Sequence, residues 1–506
     1  MKSIPNPCRQ LTIICLLMVT LFSSCSKDSS FGGGAERRAE LVSILPDDAT
    51  ITVSFSPAAI LKSAGMEVSG NSVKPSKAIE RLADSNGLYG EAIKFITEAK
   101  GIDYSAAVVA GGTENGYILF ALSDAHKFCD WAKSKDMTVT NSDSYIICYK
   151  NPQSPAIVID GLTAWFIGAA ADADKALSIV ESSKSAAADK KIAQWKIDRL
   201  VEDDINVLVN VEAYSKEMYS AFSSLGLPIP SQSLYSTNCK YTSSDINFDG
   251  PTVRMVGEAF DNDGNLTTIF NKDEVSTVPS SVLALVKNSQ IAVACTLPDA
   301  LKSQFVSYIM DIVAIQNPGF EYADILKQSF DAMTSFTLGI STRDDMSIAN
   351  FKPTDIMATL AIGYDRPAAE KAVTMIMPEV KKFGADKEFS EIWNALSGQS
   401  TYTFSPEDSM PDFKLYLTGK DNTVFITTDS AISDLKLSAD PKLEGLIAYS
   451  VINLKKSHPG LALTNCPFGI DSRFTSTNEK SEGYITLTDT DGPILETLIT
   501  FISRFL

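Results

Sequence analysis

The sequence predicts an α+β protein made of two tandem, diverged repeats, each a mostly antiparallel sheet with helices packed on one side. Three observations predict it. Short period-2 apolar runs alternate with single amphipathic stretches along most of the chain. Some runs follow one another with no room for a crossover helix, as in the pair Ser144 to Tyr149 and Ala156 to Asp160; this places a parallel α/β arrangement second. The same series of landmarks also occurs twice in one order.

Residues 1–24 read as a signal peptide, with Lys2 and Arg9 ahead of an apolar run from Leu11 to Phe22 that is short for a membrane span. The run ends in Leu21-Phe22-Ser23-Ser24-Cys25, the pattern of a lipoprotein processing site, so Cys25 is expected to become the first mature residue and to carry a diacylglycerol and an N-acyl lipid. Residues 25–40 contain Ser, Gly and charge with little to bury and are expected to be a flexible tether.

The first repeat is placed at 41–273 and the second at 274–506. Thr50-Ile-Thr-Val-Ser-Phe and Gln290-Ile-Ala-Val-Ala-Cys are matching strands, each running to a shared Leu-Lys-Ser. Tyr117 to Phe128 matches Met357 to Val373 as a strand entering a helix, with Asp124 and Asp365 where a cap belongs. Leu162 to Gly168 followed by Asp172 to Leu177 matches Asn422 to Thr428 followed by Ser430 to Leu435, and Ile205 to Asn210 matches Gly445 to Ser450. Leu234-x-x-Thr237-Asn238-Cys239 matches Leu461-x-x-Thr464-Asn465-Cys466, and Val253 to Gly264 matches Tyr484 to Gly492. The offsets, between about 227 and 259 residues, fit loop insertions. Leu495, Leu498, Ile499, Ile502 and Leu506 lie on one face of a final helix, expected to close the second repeat.

The lipoprotein pattern, the opening Leu45-Pro46-Asp47-Asp48-Ala49 with Ser56-Pro57 after the first strand, and the long two-part layout resemble a family of uncharacterised Bacteroidota lipoproteins grouped as a domain of unknown function. The resemblance implies a lipid-anchored outer-membrane location and a size, and no established activity. In surface-exposed lipoproteins of that group a Lys and acidic residues after the Cys act as an export signal; Ser26-Lys27-Asp28 supplies one of each, which leaves cell surface and periplasmic face open.

Composition narrows the partners. The 506-residue chain has 44 basic and 62 acidic residues; without residues 1–24 the balance is 42 to 62, a net of −20. Such a body repels nucleic acid, and the lipid would be its membrane attachment. A protein or glycan partner is expected. Cys129, Cys148, Cys239, Cys295 and Cys466 follow the expected cleavage with no CxxC and no Cys/His cluster, which removes zinc and thioredoxin-like chemistry. The matching places of Cys239 and Cys466 make a disulfide between them a candidate.

The turns holding Asp261/Asp263 and Asp489/Asp491 are calcium candidates, but Asp-x-Asp-Gly is also an ordinary turn sequence, the EF-hand spacing fails, and the turn is preferred. Of the two histidines, His126 is placed in the first turn of a helix and His458 in a Pro-Gly turn, both expected to be exposed. No G-x-S-x-G, H-E-x-x-H, G-x-G-x-x-G or P-loop occurs, and Ser433-x-x-Lys436 has no K-T-G partner. Asp47-Asp48, Glu202-Asp203-Asp204 and Asp344-Asp345 are expected on a solvated surface, with a glycosidase acid and nucleophile as the alternative. Trp131, Trp165, Trp195 and Trp393 are expected in core packing, with a sugar platform as the alternative. The expected role is therefore non-enzymatic binding or structure at the cell envelope; a carboxylate-dependent glycan hydrolase and a periplasmic assembly factor are the alternatives.

Overall fold

Helix formers dominate Ala35-Glu-Arg-Arg-Ala-Glu-Leu41, and these residues lie in the first described element, α1 (Gly34–Ser43), with Arg38, Leu41 and Val42 buried. The computed structural model describes residues 34–503 apart from 85–87, 112–115, 152–154, 169–171, 225–235, 269–275, 298–322 (of which 302, 306 and 310 are described), 343–351, 383–385, 405–412, 435, 454–465 and 478. Cys25, His458, Asp344 and Asp345 fall outside. The tether expected to run to Glu40 is corrected: from Gly34 the chain is helical, because Arg38, Leu41 and Val42 form a buried face that composition alone did not reveal.

The chain divides into two compact units. The first comprises Met1–Met218, Thr237–Thr268 and Asp491–Leu506, the second Tyr219–Ser236 and Ile269–Thr490. In the first, α1 is followed by β1 (Ile51–Phe55), α2 (Pro57–Ser63), the small hairpin β2 (Glu67–Ser69) and β3 (Ser72–Lys74), α3 (Lys77–Ala83) and α4 (Leu88–Glu98). Then come β4 (Ile102–Gly111), β5 (Tyr117–Leu122), α5 (Ala125–Ser134), β6 (Thr138–Ser142), β7 (Tyr145–Tyr149), β8 (Ala156–Asp160) and β9 (Thr163–Ile167). Helices α6 (Ala173–Asp189) and α7 (Gln194–Arg199), strand β10 (Ile205–Asn210), helix α8 (Val211–Ser224, which runs across the division) and strands β11 (Tyr241–Asp249) and β12 (Thr252–Phe260) complete the run. The sheet order is β12-β11-β10-β1-β4-β5-β9-β8-β7-β6, and every neighbouring pair is antiparallel.

Alternation decides what each sheet face meets. Val108, Leu119, Trp165, Val158 and Ile147 lie opposite one another on successive strands and share a core with Leu41 and Val42 of α1 and Ala176 and Val180 of α6. Phe120 points the other way, where its ring meets Phe95 of α4 at 6.3 Å and Phe128 of α5 at 5.8 Å. The expectation of helices on one side is therefore corrected: β5 is apolar on both faces, Tyr-Ile-Leu-Phe-Ala-Leu, and each face needs a cover.

In the second unit the elements are α9 (Ser280–Val286), β13 (Ile291–Thr296), α10 (Ala323–Ala332), β14 (Met333–Thr342), β15 (Ile356–Tyr364), α11 (Arg366–Lys382) and α12 (Asp386–Leu396). They continue with β16 (Tyr402–Phe404), β17 (Leu415–Lys420), β18 (Thr423–Thr427), β19 (Leu446–Ile452), β20 (Gly469–Ser476) and β21 (Lys480–Thr488). The order is β21-β20-β19-β13-β14-β15-β18-β17-β16, again antiparallel throughout. Val278, Leu283, Val286, Ala292, Ala294, Tyr449 and Val451 pack as its main core.

Helix α13 (Ile494–Ile502) belongs to the first unit: its first amide donates to Gly250 O at 2.9 Å and Glu496 lies against Gly65. The expected closure of the second half by this helix is thus corrected. Its buried face, Ile494, Leu495 and Ile499, specifies an apolar partner surface without saying which.

Gly101 has φ +76°, and a Cβ there would lie 2.2 Å from Asp124 O, whereas at Gly161 (φ +58°) a Cβ would meet nothing within 4 Å. Gly101→Ala is expected to destabilise the first unit by more than about 2 kcal/mol and Gly161→Ala by about 1 kcal/mol, in urea unfolding monitored by tryptophan fluorescence. Equal losses would show that the close approach at Gly101 is not what matters.

Candidate functional site

The first unit carries two groups of polar side chains, one open and one closed. The open group lines a cavity of about 390 Å³ between the segment entering β1 (Pro46, Asp48, Thr50), Tyr117 at the start of β5 and one face of α6. Lys175, Ser178 and Ser182 recur at three- and four-residue steps, which brings them onto one helix face, and Ser183, on the adjoining buried face with Ala176 and Val180, completes the lining. The Tyr117 hydroxyl and Ser183 Oγ are 2.7 Å apart, and Thr50 Oγ1 donates to Glu217 Oε1 at 2.9 Å. Burial pushes the Tyr117 phenol up; its bond to Ser183 opposes this and the charge of Asp48 adds to it. Five hydroxyls, one ammonium and one carboxylate suit a polar ligand held by hydrogen bonds. Among the described residues no histidine lines the cavity, so its serines have no imidazole base beside them there.

The closed group begins at Lys196, 3% exposed, whose Nζ lies 2.6 Å from Asp47 Oδ1, donates to Asp47 O at 3.1 Å and to Tyr241 Oη at 2.9 Å, and sits 4.1 Å above the Tyr241 ring. Lys190 Nζ reaches Asp47 Oδ2 at 2.9 Å. Burial pushes the Asp47 carboxyl up, and the bonds to Lys196 and Lys190 more than reverse this, leaving it below the usual carboxylate range.

Deeper in the sheet, Ser54, Asn206 and Asp245 stand side by side on β1, β10 and β11, each almost wholly buried. Asn206 Nδ2 donates to Asp245 Oδ1 at 2.8 Å, and Asn206 Oδ1 accepts from the Asp203 amide at 3.1 Å. Arg38 closes the network, donating to Val201 O at 2.8 Å and Asp203 O at 2.6 Å. Burial pushes Asp245 up to about 6, partly offset by Asn206, and pushes Asp204 up to about 6 against the pull of the Phe248 amide and Arg38.

The solvated expectation for Glu202-Asp203-Asp204 is therefore corrected for the last two: Asp203 accepts from Asn247 and Asp204 from the Phe248 amide, and only Glu202 is exposed. Likewise Asp47 is paired and only Asp48 is exposed. Asp245 is 3% exposed within this packed network, which gives a substrate no approach to it.

His126 is exposed in the first turn of α5. Trp165 is fully buried, Trp131 packs on Phe95 and Phe128, and Trp195 packs on Tyr241 and Phe260. Both Asp261 carboxylate oxygens accept bonds from the turn itself, from the Asp263 and Asn265 amides at 2.9 Å and from Asn265 Nδ2 at 3.1 Å. Asp263, Asp489 and Asp491 are exposed, and Asp489 has φ +64°. Among the described residues no group of three or more His, Cys, Asp or Glu is arranged to hold a metal ion. Cys239 and Cys466, the pair considered for a disulfide, are both buried thiols in this structure, directed at Tyr241 O and Phe468 O.

The cavity residues were not singled out from sequence, although Lys175, Ser178 and Ser182 at helical steps were a readable polar stripe. Lys196 gave no such signal, since a lone Lys among helix formers reads as surface.

No family model and no curated protein matches the chain. Among solved structures it is similar to crystal form III of TP0453 (TM-score 0.28, 9% identity, 49% of this chain and 87% of that one) and crystal form IV (0.28, 8%, 45% and 83%). Crystal form I gives 0.26, 8%, 48% and 82%. Scores of this size define no shared fold.

Asp47→Asn leaves the buried Lys196 ammonium without its counter-charge and is expected to cost about 3–5 kcal/mol at pH 7 in urea unfolding, while the exposed Asp48→Asn stays within about 0.5 kcal/mol. Because the folded Asp47 value is depressed, this stabilisation is present above the unfolded value near 4 and is lost as pH falls through the folded one. Asp245 has the opposite sign. Between about 4 and 6 the folded state holds a proton that the unfolded chain has lost, so stability falls as pH rises through that window, by roughly 3 kcal/mol. Asp245→Asn is expected to gain by a similar amount relative to wild type between pH 4 and pH 7.5; an unchanged difference would remove Asp245 as the titrating group.

Proposed function

We propose that this chain is an outer-membrane lipoprotein, acylated on Cys25, whose body binds a partner protein or glycan at the cell envelope and catalyses no reaction. The observation that carries it is the Leu11 to Phe22 apolar run ending at Leu21-Phe22-Ser23-Ser24-Cys25. No helix among the described residues is long and apolar enough to cross a membrane. The open cavity offers hydroxyls with Lys175 and Asp48 but no nucleophile paired with a base. Asp204 and Asp245, whose raised values would suit a glycosidase acid, are bonded within the sheet, which weighs against the hydrolase.

The body is, in this proposal, a diverged duplication. In its support, the two sheet orders correspond strand for strand, β12-β11-β10-β1-β4-β5-β9-β8-β7 with β21-β20-β19-β13-β14-β15-β18-β17-β16. Asp124 and Asp365 cap corresponding helices, and their amides donate to Gly101 O and Ala332 O at the heads of corresponding strands. Two-residue turns join β8 to β9 at Gly161-Leu162 and β17 to β18 at Asp421-Asn422. The thiols of Cys239 and Cys466 each face the carbonyl two residues on.

Cys25→Ala is expected to abolish incorporation of labelled palmitate in cells and to move the chain from the membrane fraction to the soluble fraction. Retention of label in the variant would sink the lipoprotein reading. Protease treatment of intact cells then assigns the face: digestion of the body places it at the surface, and full protection places it in the periplasm.

A further inference from the structure

Helix α5 turns Phe128, Cys129 and Ala132 into the core of the first unit. Beneath it, Cys148 is the fully buried residue of β7 that stands between Val139 of β6 and Ile157 of β8. Cys148 and Ile157 lie on the same sheet face as Phe120, the face that α5 covers with Phe128, so the two thiols are enclosed at one helix–strand contact, near enough for each to bear on the other's titration. The other described cysteines have no such neighbour: Cys239 and Cys466 face backbone carbonyls, and Cys295 is a half-buried strand residue.

We propose that Cys129 and Cys148 form a disulfide that staples α5 to β7 when the chain folds in an oxidising compartment. The occurrence of the bond in the cell rests on the envelope location proposed above; the pairing itself does not. The oxidant is a disulfide, either that of a thiol–disulfide oxidoreductase or glutathione disulfide. One cysteine thiolate attacks it to give a mixed disulfide, and the second cysteine displaces the carrier. One S–S bond forms in the chain, two S–H bonds break, and two electrons and two protons leave with the oxidant as a pair of thiols.

Burial also sets the timing. With Cys129 5% and Cys148 0% exposed, neither sulfur meets an oxidant in the folded state, and burial pushes the Cys148 thiol to about 12 and the Cys129 thiol up, suppressing the reactive thiolate. The bond therefore forms before α5 docks, and a chain folded under reducing conditions keeps both thiols when oxidant is added later.

The full chain, produced with its leader and recovered from the envelope without reductant, would be unfolded, alkylated and peptide-mapped. A second sample would be reduced, unfolded and refolded in a mixture of glutathione and glutathione disulfide. In both, a peptide linked through Cys129 and Cys148 and released by reductant is expected, with Cys239, Cys295 and Cys466 alkylated without reductant. Cys129→Ser/Cys148→Ser should lose the linked peptide and leave the other three unchanged. A refolded wild-type chain in which Cys129 and Cys148 are alkylated as fully as Cys295 overturns the pairing. A link after refolding with free thiols in the cell-derived chain overturns the bond in the cell and traces its failure to the compartment.

Discussion

In the first unit everything is arranged by the need to pair β1 on both edges. Its five residues bond to β4 on one side and β10 on the other, segments that arrive from far along the chain. A strand inside a sheet has no solvent to satisfy its backbone, so both neighbours must be in place before it is stable. The second unit meets the same demand with β13, paired with β14 and β19. Helices then follow from the faces that such a sheet leaves apolar.

That demand explains why polar side chains lie so deep in the first unit. Thr52 and Ser54 of β1 are buried by pairing, and on the same rung as Ser54 stand Asn206 and Asp245. Such groups need partners inside the protein, and Asn206 and Asp245 have them, whereas Ser54 Oγ has no hydrogen-bond partner among the described residues. Asn206 serves Asp245 and the Asp203 amide, and Arg38 serves Asp203 and Val201, which ties α1 to the loop entering β10. The loop before β1 is fixed in the same way, by Lys196 on Asp47. A removed partner leaves a buried charge or dipole, so these groups act together and their effects will not add.

What was legible in the sequence is what local chemistry sets. Period-2 runs gave β1, β5, β10 and their counterparts, Asp124 and Asp365 gave helix starts, and the β7–β8 pair was readable from its spacing. Each depends on residues a few positions apart. What was not legible depends on residues brought together by the sheet: Asp47 with Lys196, Tyr117 with Ser183, Cys129 with Cys148. Glu202-Asp203-Asp204 looked like ordinary surface acid because nothing local marks a carboxylate that a distant Phe248 amide or Asn247 will claim. The destination of α13 was hidden for the same reason, since an amphipathic stripe fixes a buried face but not its partner.

The division between closed and open polar groups bears directly on function. A group that is bonded within the sheet cannot also meet a ligand without breaking those bonds, so the network of Asn206, Asp245 and Arg38 is held for the fold. Lys175, Ser178 and Ser182 lie on one face of α6 while its packing is done by Ala176 and Val180 on another, and so can change without disturbing the core. In the binding role proposed above, recognition would fall to α6 and the segment entering β1, while the interior only holds them in place.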